Sequence, residues 1–534
     1  MFETSIDPYP MQICVHTCRW HFFCPAENRT SKETGSRTPK GDKMKIREMQ
    51  ARLQQSRGYK WWVLGMIMLG TFMAVLDVTV VNVGIPTIMS AFHIRISSAE
   101  WVITAYMITM TIMLPSAGWL ADRYGNKKLY LGGMVIFTLG SWLCGRAGTD
   151  GFLIAARALQ GVGSGMIQSL GLAIVTREFP PRQRGVALGL WSVAAAASIS
   201  FGPLLGGFLV EKSWHLIFDI NVPIGIFAVL LGLFVQKEWK NPVQGRFDWL
   251  GFTSIAVFMP LTIYALARGN AATNPQGWSS PVVIGCFIVA AVALAVFIAA
   301  EWRQKHPLLN IWLLKDLHFG VSMVTLFIFG IGMLGGTYLL PLYMQEGLGY
   351  TAVMAGSVFL PVGMIQGVLS TVSGVLTRYV KPLVLVFLGV MVMSASFYLA
   401  SRFTIHTSHA QIMLVLYLRG FGMGLTFAPL NFFSLQNLTQ QQMAAAAGIS
   451  NSIKQLSGSI GIAVLTSILT YRTAFHTARE TVSHAQSYVE GVTDDFLVVT
   501  FITLASMLPF VWMLLRRRGK PLPVQADGKP ANEN

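Results

Sequence analysis

Apolar residues run in long, nearly unbroken stretches from about residue 60 to residue 515, separated by short polar segments. The stretches fall near 61–85, 100–119, 129–147, 152–175, 186–210, 218–236, 249–267, 281–300, 319–341, 353–377, 382–401, 411–435, 446–470 and 496–515. A helix needs about 20 apolar residues to cross the hydrocarbon of a bilayer, so the pattern predicts fourteen transmembrane helices. Gly and Pro occur freely inside the stretches, as membrane helices tolerate. A β-barrel is excluded, because its strands are short and alternate. The predicted class is an all-α polytopic membrane protein.

Composition narrows this further. Of 534 residues only 12% are charged and 53% are hydrophobic. A soluble protein of this length lacks the charge to cover its surface, and a disordered chain cannot be this apolar. The net charge of +16 invites a nucleic-acid reading. The cations are scattered between apolar spans and form no basic face, so no nucleic-acid partner is expected. They have a topological use instead. With the N-terminus inside, 21 Lys and Arg fall on the cytoplasmic side and 7 on the other. Both termini are therefore predicted to be cytoplasmic.

Residues 1–58 are polar and irregular and read as a cytoplasmic, disordered tail; 516–534 read as a second one. Cys14, His16, Cys18, His21 and Cys24 match no zinc spacing, so no metal is expected. Met44 and Met49 are both plausible starts. Cys144 and Cys286 sit alone in apolar runs and read as inert thiols.

The chain looks duplicated. Gly118-Trp-Leu-Ala-Asp122-Arg123-Tyr-Gly125-Asn-Lys127-Lys128 follows the second span, and a weaker echo, Gly374 to Lys381, follows the tenth. Arg157-Ala-Leu-Gln160-Gly161-Val-Gly163-Ser-Gly165 opens the fourth span, and Arg419-Gly-Phe-Gly422-Met-Gly424 opens the twelfth. Repeated halves are how many secondary transporters build a midplane site. The predicted organisation is two pseudo-symmetric six-helix bundles, 59–236 and 316–515, joined by a two-helix insertion with linkers at 237–315.

Asp77, Arg157, Arg419 and Lys454 are ionisable and fall well inside spans. Such groups are expensive unless they face a partner or water, so each is read first as functional. Asp77 is the expected proton carrier; otherwise it is a structural acid bonded to Asn82 or Thr79. Arg157 keeps its charge. It could govern how tightly Asp77 holds its proton, hold a substrate anion, or anchor to backbone carbonyls. Arg419 is either its counterpart or a side chain snorkelling outward. Asn451, Lys454 and Gln455 share one helical face and either line a cavity or make an interhelical contact. Asn82 and Gln160 complete the expected cavity set. Trp101, Tyr106, Trp191, Phe201 and the Met residues are candidates for an adaptable apolar wall.

Taken together these motifs resemble the major facilitator superfamily, and within it the EmrB/QacA-like branch of fourteen-span drug:proton antiporters. The loop Gly118–Lys128 is similar to the family's hallmark loop. Leu76-Asp77-Val-Thr79 through Asn82 to Pro86 is similar to the branch's first-span motif. Gly202-Pro203-Leu-Leu-Gly206-Gly207 is similar to its fifth-span antiporter motif, although Ser198 stands where that motif usually begins with Gly. Phe218-Asp-Ile-Asn221-Val-Pro223 and Leu340-Pro341-Leu-Tyr343 also fit. The resemblance implies a proton-coupling role for Arg157. It also implies a cytoplasmic gate at Gly118, Asp122, Arg123, Gly125 and Lys127; Pro203 removes a backbone hydrogen bond and can kink the fifth span. Transporters of this kind carry an extended external loop, here 471–495, and work with a periplasmic adaptor and an outer-membrane channel. The alternative for that segment is a solvated amphipathic helix.

No P-loop is present, so ATP is not the expected fuel. No coherent nucleophile–base set is present either, so no enzyme is expected. The reading is an inner-membrane multidrug exporter with no cofactor. It exchanges protons for small lipophilic molecules by alternating access; a dedicated metabolite or lipid transporter is the alternative. If Arg157 and Lys454 both face the cavity, weak acids or neutral compounds are favoured over cations.

Overall fold

The structure is a computed structural model that describes residues 58–94, 96–239, 248–269, 274–304, 309–479 and 484–517. The first-tail cysteines and histidines, Met44, Met49 and the segment from 518 onward lie outside the described residues.

The first six long helices are α1 (Tyr59–Phe92), α2 (Ile96–Tyr124), α3 (Asn126–Cys144), α4 (Asp150–Glu178), α5 (Pro181–Lys212) and α6 (Asn221–Val235). Two more follow, α7 (Trp249–Gly269) and α8 (Pro281–Arg303). The last set is α9 (Leu317–Leu342), α10 (Phe359–Leu376), α11 (Pro382–Ala400), α12 (His409–Leu435), α13 (Met443–Arg479) and α14 (His484–Ala505), continued by α15 (Leu508–Arg517). Local chemistry sets several of the starts. Pro181, Pro281 and Pro382 occupy first-turn positions where no N–H is needed. Thr149 caps α4, and Ser408 with Gln411 forms a capping box on α12.

Thirteen of the described helices are long and apolar enough to cross a membrane. The predicted third span is α3, a 19-residue helix in the expected place. It opens Asn126-Lys127-Lys128, so its apolar stretch starts only at Leu129 and falls short of the others. Lipid-facing surface is plain on α8, where Val282, Ile288 and Val292 are exposed.

The duplication is real in three dimensions. α2 packs on α4, α3 on α4 and α6, and α1 on α5 and α6. The same pairings recur as α10 on α12, α11 on α12 and α14, and α9 on α13 and α14. The halves meet along α5–α10 and α2–α13, while α7 and α8 pack on each other and α7 touches α2 and α13. Along α5–α10 the backbones touch: a Cβ on Gly185 would lie 2.3 Å from the carbonyl oxygen of Gly374, and one on Gly374 would lie 2.0 Å from that of Gly185.

One expectation is corrected. Within 471–495 the described residues, 471–479 and 484–495, are helical, so the helix alternative holds there and not the extended loop. α13 runs 37 residues to Arg479, and α14 begins at His484. Thr-, Ala- and charge-rich turns such as Tyr471–Arg479 have no Pro and suit a helix, so the chain continues the span beyond its apolar part.

Candidate functional site

Asp77 sits just past the midpoint of α1, wholly buried. α4 brings Arg157 and, one turn on, Gln160 to it. Arg157 Nη1 lies 2.5 Å from Asp77 Oδ2 and also donates to Gln160 Oε1 at 2.7 Å. Gln160 Nε2 donates to Asp77 Oδ1 at 2.7 Å, closing a ring of three side chains. Asn221, at the first turn of α6, donates to the same oxygen at 3.2 Å and to Ser141 Oγ at 3.2 Å. Arg157 Nε donates to the Val102 carbonyl at 3.1 Å, and the guanidinium lies 4.2 Å from the Tyr106 ring centre. An acid and an Arg in a low-dielectric interior must be paired and hydrogen-bonded, and here they are.

α4 can deliver these groups because it lies close to its neighbours. A Cβ on Gly161 would lie 2.3 Å from the Tyr106 carbonyl oxygen, and Gly163 and Gly165 sit equally tight on α3 and α2. α5 is fixed to α1 in the same way, with Gly202 against Thr79 and Gly206 against Val80. Gly207 is buried, and α5 stays helical through position 203, with the Pro203 side chain outside the described set. Ser198, the departure from the motif, donates to the Phe72 carbonyl at 2.9 Å and so adds a tie between the two helices.

A cavity of about 150 Å³ lies between the halves. Trp191, Ala195 and Ile199 of α5 face Met333, Thr337, Phe359, Met423 and Phe427 of the second half across it. Among the described residues Arg419 and Lys454 are the charged ones on its wall, and no acid lines it. Arg419 donates to Thr337 Oγ1 and stacks 5.0 Å from Phe397. Lys454 keeps exposed surface although protein surrounds it, because that surface faces the cavity; its Nζ lies 5.5 Å from the Phe427 ring centre. Asn451 also lines the wall and donates to the Gln168 carbonyl at 3.1 Å.

The expected residues thus divide. Asp77, Arg157 and Gln160 form the sealed network, so Arg157 and Gln160 do not face the cavity. Arg419, Asn451 and Lys454 line it. Gln455, one residue and about 100° from Lys454, turns instead to α2, with Nε2 4.0 Å from Met107 Sδ. Asn82 is not a cavity residue: five positions beyond Asp77 it lies about 140° round the helix and is exposed. Thr79 bonds the Leu76 carbonyl, not Asp77. Of the aromatic candidates, Trp191 reaches the cavity; Trp101 stacks on Tyr264, Tyr106 serves Arg157, and Phe201 faces a groove on the outer side of α5. Asn221 and Ser141 were not foreseen as site residues. A polar side chain opening an otherwise apolar sixth span is the signal that marks Asn221.

At the proposed gate, Gly118 is buried, Asp122 half-buried and Arg123 exposed. Gly125 has φ +104°, which requires a glycine, and Glu238 fills the place a Cβ would take. Asn126 N–H donates to the Trp239 carbonyl at 3.0 Å and Lys127 Nζ to the Leu233 carbonyl at 2.8 Å. The loop is thereby held on the exit of α6, within its own half.

Comparison with known proteins agrees with this architecture. A profile described as Major Facilitator Superfamily matches residues 67–462. The chain is 32% identical to the multidrug export protein EmrB of Escherichia coli K12, over 78% of this chain and 81% of that one. It is 30% identical to the fatty acid resistance protein FarB of Neisseria gonorrhoeae, over 78% and 82%. Among solved structures, the proton:xylose symporter XylE superposes with a TM-score of 0.60 at 14% identity, covering 86% of this chain and 96% of that one; at that identity it speaks for the fold alone. Profile, relatives, repeated halves and helix pairing agree, and the chain belongs to the Major Facilitator Superfamily.

Proposed function

We propose that the protein exports small lipophilic or amphipathic molecules in exchange for protons, by alternating access, across a bacterial inner membrane with both termini cytoplasmic. The observation that carries this is the separation of two sites: a sealed Asp77–Arg157 pair inside the first half, and an acid-free, cation-bearing cavity between the halves. Export as the direction is supported by the names of the relatives, multidrug export and fatty acid resistance proteins.

The mechanism follows from charge. Protonating Asp77 leaves it neutral and releases Arg157 from its ion pair. The network of Gln160, Asn221 and Tyr106 must then rearrange, which gives proton binding a different energy in the two states. A polar path supports communication with the cavity: Tyr106 Oη bonds Ser164 Oγ at 2.7 Å, Gln168 Nε2 bonds Ser164 Oγ at 3.1 Å, and Asn451 bonds the Gln168 carbonyl. No nucleotide or other cofactor enters the cycle. Arg419 and Lys454 favour amphipathic acids over lipophilic cations. The helical ends of α13 and α14 are the surface that a periplasmic adaptor would meet.

The test is proton flux in proteoliposomes, with an acidic and a cationic lipophilic drug and with Asp77→Asn beside the wild type. Substrate-driven proton movement that Asp77→Asn abolishes supports the reading. Unchanged movement in Asp77→Asn, or none with any substrate, overturns it.

A further inference from the structure

A further concentration of ionisable groups lies where α13 leaves the membrane and α14 enters it. Arg472 of α13 pairs with Asp494 of α14, with Nη2 2.5 Å and Nε 2.6 Å from Oδ2. One turn on, His476 stands between two acids of α14. Its Nε2 lies 2.9 Å from Asp494 Oδ2 and its Nδ1 lies 3.2 Å from Glu490 Oε2. A neutral imidazole has one N–H and can satisfy one of these contacts. Both become hydrogen bonds only when one more proton is bound, on the ring or on a carboxylate.

Behind this cluster lies Asp495, fully buried, with both carboxylate oxygens lacking a hydrogen-bond partner among the described residues. Arg472, the nearby cation, is already engaged by Asp494. The face of α14 that carries Ser487, Gly491 and Asp495 turns toward α13, where Gly491 meets Thr473; Ser487 Oγ and Thr473 Oγ1 are also buried and unpartnered. From α9 and the π-helical turn after it, Tyr338 and Glu346 approach Tyr488 of α14. α11, which also packs on α14, contains no charged residue. His476, Glu490 and Asp494 keep part of their surface exposed, so solvent protons can reach them.

We propose that the α13–α14 junction is a proton-binding site distinct from Asp77, in which His476 holds a proton between Glu490 and Asp494 and Asp495 behind them is a further acceptor. Raising the pH removes the shared proton to solvent, one carboxylate then faces a ring lone pair, and the tie between α13 and α14 weakens.

The experiment uses the full chain in lipid nanodiscs in an Asp77→Asn background, so that failure here leaves the antiport reading untouched. Infrared titration follows the protonated-carboxyl band, and a pH-indicator dye counts protons released from acid to alkaline pH. The expected result is a carboxyl band that survives Asp77→Asn and is lost on adding Asp495→Asn, with fewer protons released by His476→Gln. Should Asp495→Asn fail to fold, Glu490→Gln, at a partly exposed position, must also lower the proton count. Proton counts and infrared bands identical in all the variants that fold would overturn the proposal.

Discussion

Arg157 and Arg419 lie on equivalent helices of the two halves, and each reaches toward the first helix of its own half. The backbone around them is repeated closely. Gly161, Gly163 and Gly165 seat α4 on its neighbours, and Gly420, Gly422 and Gly424 seat α12 in the same manner. Their chemistry differs. Arg157 meets Asp77 on α1, whereas Arg419 meets Thr337 on α9. One half therefore holds a neutralised pair away from the cavity, and the other leaves its charge on the cavity wall. A duplicated scaffold thus carries two different arginine environments.

The comparison can be broken in several ways, the largest first. Asp77→Asn should reduce substrate-driven proton flux to background in proteoliposomes while leaving the protein folded, because the amide keeps the shape and cannot release a proton. Persistent flux would place coupling elsewhere. Next, Arg157→Met strands Asp77 as a buried charge and should cost about 3–5 kcal/mol in chemical unfolding. Arg419→Met strands no charge, and its cost should be about that of one hydrogen bond, ~1–2 kcal/mol. Equal losses would mean that the two arginines are equivalent after all. Third, Thr337→Asp should supply the missing acid and weaken binding of an acidic amphiphile by about tenfold, ~1.4 kcal/mol, with little effect on a neutral one; isothermal titration reads this directly. Lys454→Gln should act in the same direction through the other cavity cation, by roughly 1 kcal/mol or less. Smallest, Ser198→Ala removes one tie between α5 and α1 and should cost about 1 kcal/mol, seen as a slight fall in melting temperature with transport retained.

The span pattern, the duplication and the identity of Asp77 and Arg157 were all legible in the sequence, because burying charge in an apolar run leaves a mark that periodicity alone can find. Their pairing was one of three readings left open for Arg157, and only the packing of α1 on α4, which brings residues 80 positions apart together, selects it. The division of polar residues between network and cavity was also hidden. Gln160 and Lys454 look alike in a linear reading, yet helix phase sends one inward to Asp77 and the other to the cavity. The α3 span fell short for a local reason, its Asn-Lys-Lys opening. At 471–495 polarity alone could not decide between a loop and a helix that has left the membrane, and the described residues there are helical.

The α5–α10 seam has a mechanical consequence. Where Gly185 and Gly374 meet, main chain lies on main chain, with no large side chain of one half notched into the other at that point. Rotation about such a crossing unlocks no rotamers and opens no holes, so it meets little friction. In the alternating-access cycle proposed above this contact would serve as a bearing, and a methyl group added at either glycine would act as a wedge in it.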